Sequence, residues 1–163
     1  MSAPASRDES IDLPAIPSLT VAHVDPQRMK TMAALLRDPY PIHWDPESVA
    51  DEAHGGRTVN QGPLNLAYVA NMLMAWAGDT SIRKLTASFH AHVLAGDTVT
   101  ASGEVQEMLE IDGERRARCA VRLVRGSDLI LSGQAELSLD MLDRHHPSRG
   151  EPAGLEASGE AEL

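Results

Sequence analysis

Apolar residues recur at helical spacing in the first half of the chain and at strand spacing in the second, with the change near residue 80. SLTVAHV (18–24) reads as a short strand, and Asp25-Pro26 after it supplies a helix N-cap with proline in the first turn. Met29, Met32, Ala33 and Leu36 then recur at helical intervals, which predicts a short amphipathic helix to about Arg37. It must stop before DPYPIHWDP (38–46), because Pro39 disfavours helical backbone at the residue preceding it. A second helix is predicted from Gly62-Pro63 to Gly78. Leu66, Val69, Ala70, Leu73 and Ala77 form one face, and Leu64, Tyr68, Met72, Ala75 and Trp76 cover most of the rest. A helix apolar nearly all round belongs in the middle of a fold.

Four strand-like runs follow: KLTASFHAHV (84–93), TVTASGEVQEML (98–109), RRARCAVRLV (115–124) and DLILSGQAELSL (128–139). Turns are expected between them at Gly96-Asp97, Asp112-Gly113 and Gly126-Ser127. In the third run Ala117, Cys119, Val121 and Leu123 alternate with Arg116, Arg118 and Arg122, the period of a sheet with one wet face. The expectation is an α+β domain over residues 18–142, an antiparallel meander wrapped around a long buried helix. Residues 1–17 and 143–163 have the low hydrophobicity of mobile tails, and there is no internal repeat.

Composition narrows the function classes. A chain of 163 residues fits one domain, and a formal net charge of -10 argues against nucleic-acid binding, which needs a surplus of cations. Any anionic ligand then requires a local basic patch. The one cysteine, Cys119, cannot form an internal disulfide, and MSAPASRDES lacks a basic, apolar signal, so the cytoplasm is the expected location. Residues 60–78 carry no charge. Even so, the mostly apolar run 66–77 is too short to span a bilayer, which needs about 20 residues, and no membrane partner is expected.

Candidate chemistry sits in the proline-bounded segment. Asp38 and His43 could be a helix-end cap and a surface histidine. Alternatively, a rigid irregular segment could direct carboxylate and imidazole at one water, giving general acid and base chemistry. LLRDPYPIHWDPESV resembles the signature of MaoC-like, R-specific enoyl-CoA hydratases and 3-hydroxyacyl-thioester dehydratases, an Asp-x-Asn-x-x-His pattern followed by an acidic, proline-containing turn. NQGPLNLAYVANML is similar to that family's Gly-led helix, and LAGDTVTASGEV (94–105) to its Gly-Asp turn and next strand, so the likeness covers about residues 18–140.

The resemblance implies a hotdog fold, usually dimerised, with Asp38 and His43 as the catalytic couple. They would hold the water that is added across the 2,3 double bond of a CoA or carrier-protein thioester, or removed in the reverse direction. Gly62 could simply begin a tightly packed helix, or its backbone N-H could face a ligand closely. The resemblance implies the second role, as donor to the thioester oxygen. Tyr40 stands where the family usually has Asn, and Gln61 where it usually has His; with Asn60 they are the expected substrate contacts. No metal or cofactor is expected. The alternatives are a non-catalytic hotdog subunit that binds an acyl thioester or completes a partner's pocket, and a hotdog thioesterase. An open sheet edge favours a homodimer, or a hetero-oligomer with a second hotdog chain.

Other residues have plainer readings. His90 and His92 would share one face of a strand without a third metal ligand, His145-His146 falls in the expected tail, and Met72 and Met74 read as core filling. Asp97 reads as a turn residue and Cys119 as an inert core thiol. No phosphate-binding glycine loop or serine-nucleophile elbow is present.

Overall fold

A computed structural model describes residues 15–50 and 53–139. The two expected tails lie outside these residues except for residues 15–17, of which Ile16 is buried. The expected domain end at 140–142 and His145-His146 also lie outside them.

Strand β1 (Leu19–Val21) leads into helix α1 (Pro26–Leu36), where Asp25 caps as its sequence dictates by accepting from the Gln27 N-H at 2.8 Å. Helix α2 (Gly62–Ala77) begins and ends where Gly62-Pro63 and Gly78 predict. Leu64, Tyr68, Val69, Met72, Leu73, Trp76 and Ala77 are buried, and the helix touches all five strands. It is not covered on every side, however. Pro63, Asn71 and Ala75 leave an exposed stripe, because a helix lying on a sheet buries one broad face.

Strands β2 (Ile82–Phe89), β3 (Val99–Ile111), β4 (Glu114–Arg125) and β5 (Asp128–Ser138) complete one antiparallel sheet in the order β1-β3-β4-β5-β2. Asp112 (φ 54) and Gly113 (φ 77) both take left-handed backbone in the two-residue β3-β4 turn, the geometry that matches strand twist. In β4, Ala117, Cys119, Val121 and Leu123 are buried against α2's layer, as their alternation predicts. Burial pushes the Cys119 thiol up to about 11, which keeps it protonated and inert.

The strands do not form a single meander. β2 pairs with β5, from Ile82↔Leu137 to Phe89↔Leu131, so the chain crosses the sheet between β2 and β3. The ladder ends at Phe89, four residues before the expected strand end, because the following segment pairs elsewhere. The Asn60 N-H donates to the Val93 carbonyl at 2.7 Å, the Ala95 N-H to the Thr58 carbonyl at 2.8 Å, and Val59 bridges Leu94. His90 and His92 therefore lie beyond the strand and share no strand face. At Gly133 the β2 backbone comes so close that a Cβ would stand 2.1 Å from the Thr86 carbonyl oxygen, which explains a glycine inside β5.

Asp97 does more than open β3. Its buried carboxylate accepts from the Leu94 N-H at 2.9 Å, from Arg57 Nη1 at 2.7 Å and from Arg125 Nη1 at 2.8 Å, and it clasps the crossing to both flanks. Burial pushes this carboxyl up, but the hydrogen bonds from Arg125, Leu94 and Arg57 outweigh it and hold the group below its ordinary value. Asp97→Asn should therefore lower stability by on the order of 2 kcal/mol, seen as a lower urea midpoint. Because the folded carboxyl titrates below its unfolded counterpart at about 3.9, its stabilisation is complete above that pH and vanishes as pH falls through the lower folded value. Wild type should thus lose stability more steeply than Asp97→Asn below about pH 4, and parallel acid profiles would refute the clasp.

Candidate functional site

The Asp38 end of the site begins with how α1 stops. Arg37 takes left-handed backbone (φ 53, ψ 40). Its N-H donates to the Ala34 carbonyl at 3.2 Å, and the Asp38 N-H to the Ala33 carbonyl at 2.9 Å. These two crossed bonds close a Schellman motif and fix where Asp38 leaves the helix. The Tyr40 N-H then donates to Asp38 Oδ1 at 3.1 Å, a local bond that orients the carboxylate.

Prolines 39 and 41 shape the next turn, a 3₁₀ segment over Pro41–His43, and a second, Pro46–Val49, is capped by Asp45 at the Glu47 N-H, 3.0 Å. Ile42 packs with buried Val49, Val59 and Leu94 in a small core separate from the main one. This cluster seats the turn on the segment that leads into α2.

His43 is placed by that contact. Its Nδ1 lies 2.7 Å from the Val59 carbonyl oxygen, which can only accept, so Nδ1 carries the hydrogen. Nε2 faces Asp38 Oδ2 at 3.5 Å. That separation is too long for a good direct hydrogen bond but leaves both atoms within reach of one water. The His43 side chain is 12% exposed and that of Asp38 35%, so the imidazole is mounted in the protein while the carboxylate meets solvent. Tyr40 is exposed and its ring stands edge-on to His43, with centroids 6.1 Å apart and planes at 78°.

The second half of the site is the start of α2. Gln61 precedes the helix without a side-chain cap. The Leu64 and Asn65 N-H groups donate to the Gln61 carbonyl at 3.1 and 3.0 Å, and Pro63 has no N-H to offer. Gly62 therefore holds the first-turn donor without a hydrogen-bond partner among the described residues. Asn60 and Gln61 are buried with part of their polarity used internally: Asn60 Nδ2 donates to Asn65 Oδ1 at 2.6 Å, and Gln61 Nε2 to the Met29 carbonyl at 2.9 Å. Asn60 Oδ1 and Gln61 Oε1 have no partner within the protein. Burial raises the nearby Tyr68 hydroxyl above its ordinary value, while its hydrogen bond with the Asn60 side chain pulls the other way.

One hollow reaches Asp38, and another lies at Phe89. An open groove of about 420 Å³ is lined by Ala33, Ala34, Arg37, Asp38, Pro39 and Trp44, and so includes the Asp38 side of the couple. Another, of about 380 Å³, is lined by Phe89, His90, Ala91 and His92. The Phe89 ring lies over Gly62: a Cβ built there would be 3.4 to 3.8 Å from three ring atoms.

Asp38, Tyr40 and His43 thus come together directly, and Asn60, Gln61 and Gly62 form an adjoining group joined to them through Val59. Val59 and Phe89 were missing from the sequence-derived set. A backbone carbonyl carries no sequence signal, whereas the chain's one phenylalanine, at the end of a strand, could have drawn notice. His90 Nε2 lies 2.7 Å from Ser132 Oγ, and His92 stacks on His54 with centroids 5.7 Å apart. Among the described residues no group of three His, Cys, Asp or Glu could hold a metal, and no helix is long and apolar enough to cross a membrane.

A family model described as MaoC like domain matches residues 11–124. Among solved structures, an (R)-hydratase from A. caviae involved in PHA biosynthesis is 25% identical, with a TM-score of 0.67 over 80% of this chain and 99% of that one. The unliganded R-hydratase PhaJ1 from Pseudomonas aeruginosa is 21% identical, with a TM-score of 0.67 over 92% and 94%. The ChsH1-ChsH2 complex from Mycobacterium tuberculosis contributes a chain 23% identical, with a TM-score of 0.66 over 80% and 99%. These neighbours share the hotdog fold. No curated protein matches the sequence at a significant level.

The Phe89 contact separates folding from chemistry at Gly62. Its would-be Cβ makes only ordinary van der Waals contacts, and alanine is the better helix former. Gly62→Ala should therefore fold with a melting temperature equal to or above that of wild type. A marked fall in melting temperature would mean that this glycine is needed for packing.

Proposed function

The chain belongs to the MaoC-like domain family, and from that premise we propose that it is a hydro-lyase acting on acyl thioesters, adding water to a 2-enoyl group or removing it from a 3-hydroxyacyl group. The observation that carries the reading is the His43 pairing: one ring nitrogen donates to the Val59 carbonyl at 2.7 Å and the other faces the Asp38 carboxylate at 3.5 Å. With Nδ1 committed as donor, the neutral imidazole offers its lone pair at Nε2, beside a carboxylate that can orient a water by accepting one of its hydrogens.

In the hydration direction the water oxygen bonds to C3 as its proton passes to Nε2. The resulting imidazolium is stabilised by Asp38 and returns that proton to C2. One water is consumed and the couple is regenerated. Between these events negative charge collects on the thioester oxygen. The Gly62 N-H, at the positive end of α2, is the donor assigned to it, and such a donor is worth roughly 10²- to 10³-fold in rate. Phe89 borders that position, and the groove past Trp44 and Ala33 gives the acyl chain an apolar course from Asp38. Tyr40 closes one side of the couple, with Asn60 and Gln61 beneath the carbonyl. The hotdog arrangement, with the sheet curled round α2, belongs to the same reading and is supported by the contact of that helix with every strand.

A panel of 2-enoyl-CoA thioesters, followed by loss of the conjugated absorbance, tests the chemistry. Asp38→Asn and His43→Ala should each lower kcat by roughly 10²- to 10⁴-fold. Gly62→Ala should lower kcat/KM although it folds normally. Equal inertness of wild type and Asp38→Asn across all chain lengths and both thioester carriers would end the enzymatic reading. Release of free thiol without loss of the double bond would replace it with thioester hydrolysis.

The partner reading is a homodimer. β2 has a partner strand on one side only and carries the half-exposed Phe89, so its free edge can pair with a second copy about a twofold axis. Sedimentation should give twice the monomer mass, and a single monomeric boundary at micromolar concentration would contradict it.

A further inference from the structure

A chain of net charge -10 has few places to hold an acidic partner, and the exposed side of α1 is one. Arg28, Lys30 and Arg37 are all exposed there, and none has an ion-pair partner among the described residues. Elsewhere the sheet's arginines are largely spoken for: Arg116 pairs with Glu114 and Glu136, Arg118 with Glu107, and Arg125 with Asp97 and Asp128. The same helix exposes Leu35 at 74% and Leu36 at 44%. Arg28 and Leu35 lie seven residues apart, two helical turns, and share one stripe, while Lys30 stands on the opposite flank of the exposed face and Arg37 follows the last helical residue.

This stripe adjoins the proposed reaction centre. Ala33, Ala34 and Arg37 of the α1 end line the groove that contains Asp38. A partner seated on α1 would stand at the mouth of that groove, able to pass a flexible arm into it.

Resting on the acyl-thioester reading above, we propose that the exposed face of α1, through Arg28, Lys30, Arg37 and Leu35, docks an acidic acyl-carrier protein that delivers the acyl group on its pantetheine arm. Charge complementarity selects this occupant. Cations on both flanks of an exposed helix face that also carries leucine match the acidic and apolar surface of a small folded carrier, whereas the phosphates of free coenzyme A form a compact cluster that leaves Leu35 uncovered. Protein docking of this kind acts mainly on encounter and KM and weakens with salt.

The test compares three thioesters of one enoyl group, carried by acyl-carrier protein, by coenzyme A and by uncharged N-acetylcysteamine, on wild type, Arg28→Glu/Lys30→Glu and Leu35→Asp. The expected result is a fall of at least about tenfold in kcat/KM for the carrier-protein substrate, expressed in KM and matched by a steep salt dependence of wild type. Turnover of the N-acetylcysteamine thioester should stay unchanged, which also reports that the variants are folded. Equal turnover of the carrier-protein substrate by variants and wild type overturns the proposal, as does a wild-type preference for coenzyme A that the variants retain. Should no thioester be turned over, the hydratase reading falls separately, and titration calorimetry with holo-carrier protein decides docking. Binding abolished by Arg28→Glu/Lys30→Glu sustains it, and no binding, or binding indifferent to the charge reversal, refutes it.

Discussion

The hydrogen bond from His43 Nδ1 to the Val59 carbonyl is the constraint on which the site depends. It joins two segments sixteen residues apart, chooses the tautomer, and leaves Nε2 as the one basic nitrogen facing Asp38. It is also one of a reciprocal pair, since the Val59 N-H donates to the Ile42 carbonyl at 2.8 Å. Two bonds in opposite senses make the turn and the approach to α2 a single rigid piece. That piece is held in turn: Thr58 and Asn60 are bonded to the crossing at Ala95 and Val93, and Asp97 fastens the crossing to Arg57 and Arg125. The position of one imidazole thus follows from a chain of short contacts that runs from the sheet to the turn.

How much of this was legible depended on the range of the interaction. Asp25-Pro26, the Asp38-Pro39 stop and Gly62-Pro63 act on their immediate neighbours, and both helices begin and end where these residues require. The Asp112-Gly113 and Gly126-Ser127 turns are equally local, and β3, β4 and β5 follow in order. The placement of β2 was not legible. Its alternation fits any neighbour, and pairing with β5 rather than β3 is decided by the crossing, whose bonds to residues 58–60 carry no sequence motif. The strand reading of His90 and His92 failed for the same reason. Asp97 looked like a turn residue because its two arginines lie 40 and 28 positions away.

The two departures from the family pattern can now be given physical content. Tyr40 contributes to the couple through its backbone, by the N-H bound to Asp38 Oδ1, a contact that any residue except proline could make. Its ring is a separate matter and stands against His43 from the solvent side. Gln61 reaches the Met29 carbonyl and so ties α1, whose end sets Asp38, to the start of α2. Its amide supplies the donor for that tie and carries an oxygen besides. Both residues therefore keep the framework around Asp38 and His43 in place.

The start of α2 has an energetic signature. A buried polar atom without a partner costs about 1–3 kcal/mol, so folds leave few of them. Four side-chain atoms stand so among the described residues, and they divide between the ends of α2: Trp76 Nε1 and Ser81 Oγ near its C-terminus, Asn60 Oδ1 and Gln61 Oε1 at its N-terminus. The second pair adjoins both the Gly62 N-H, which has no partner among the described residues, and the His43 turn. Two acceptors and one donor at the positive end of a helix form a mixed set that no single protein side chain nearby satisfies. A group that both accepts and donates at close range would complete it. The cost borne there by the folded chain is what would make that end of α2 bind rather than merely pack.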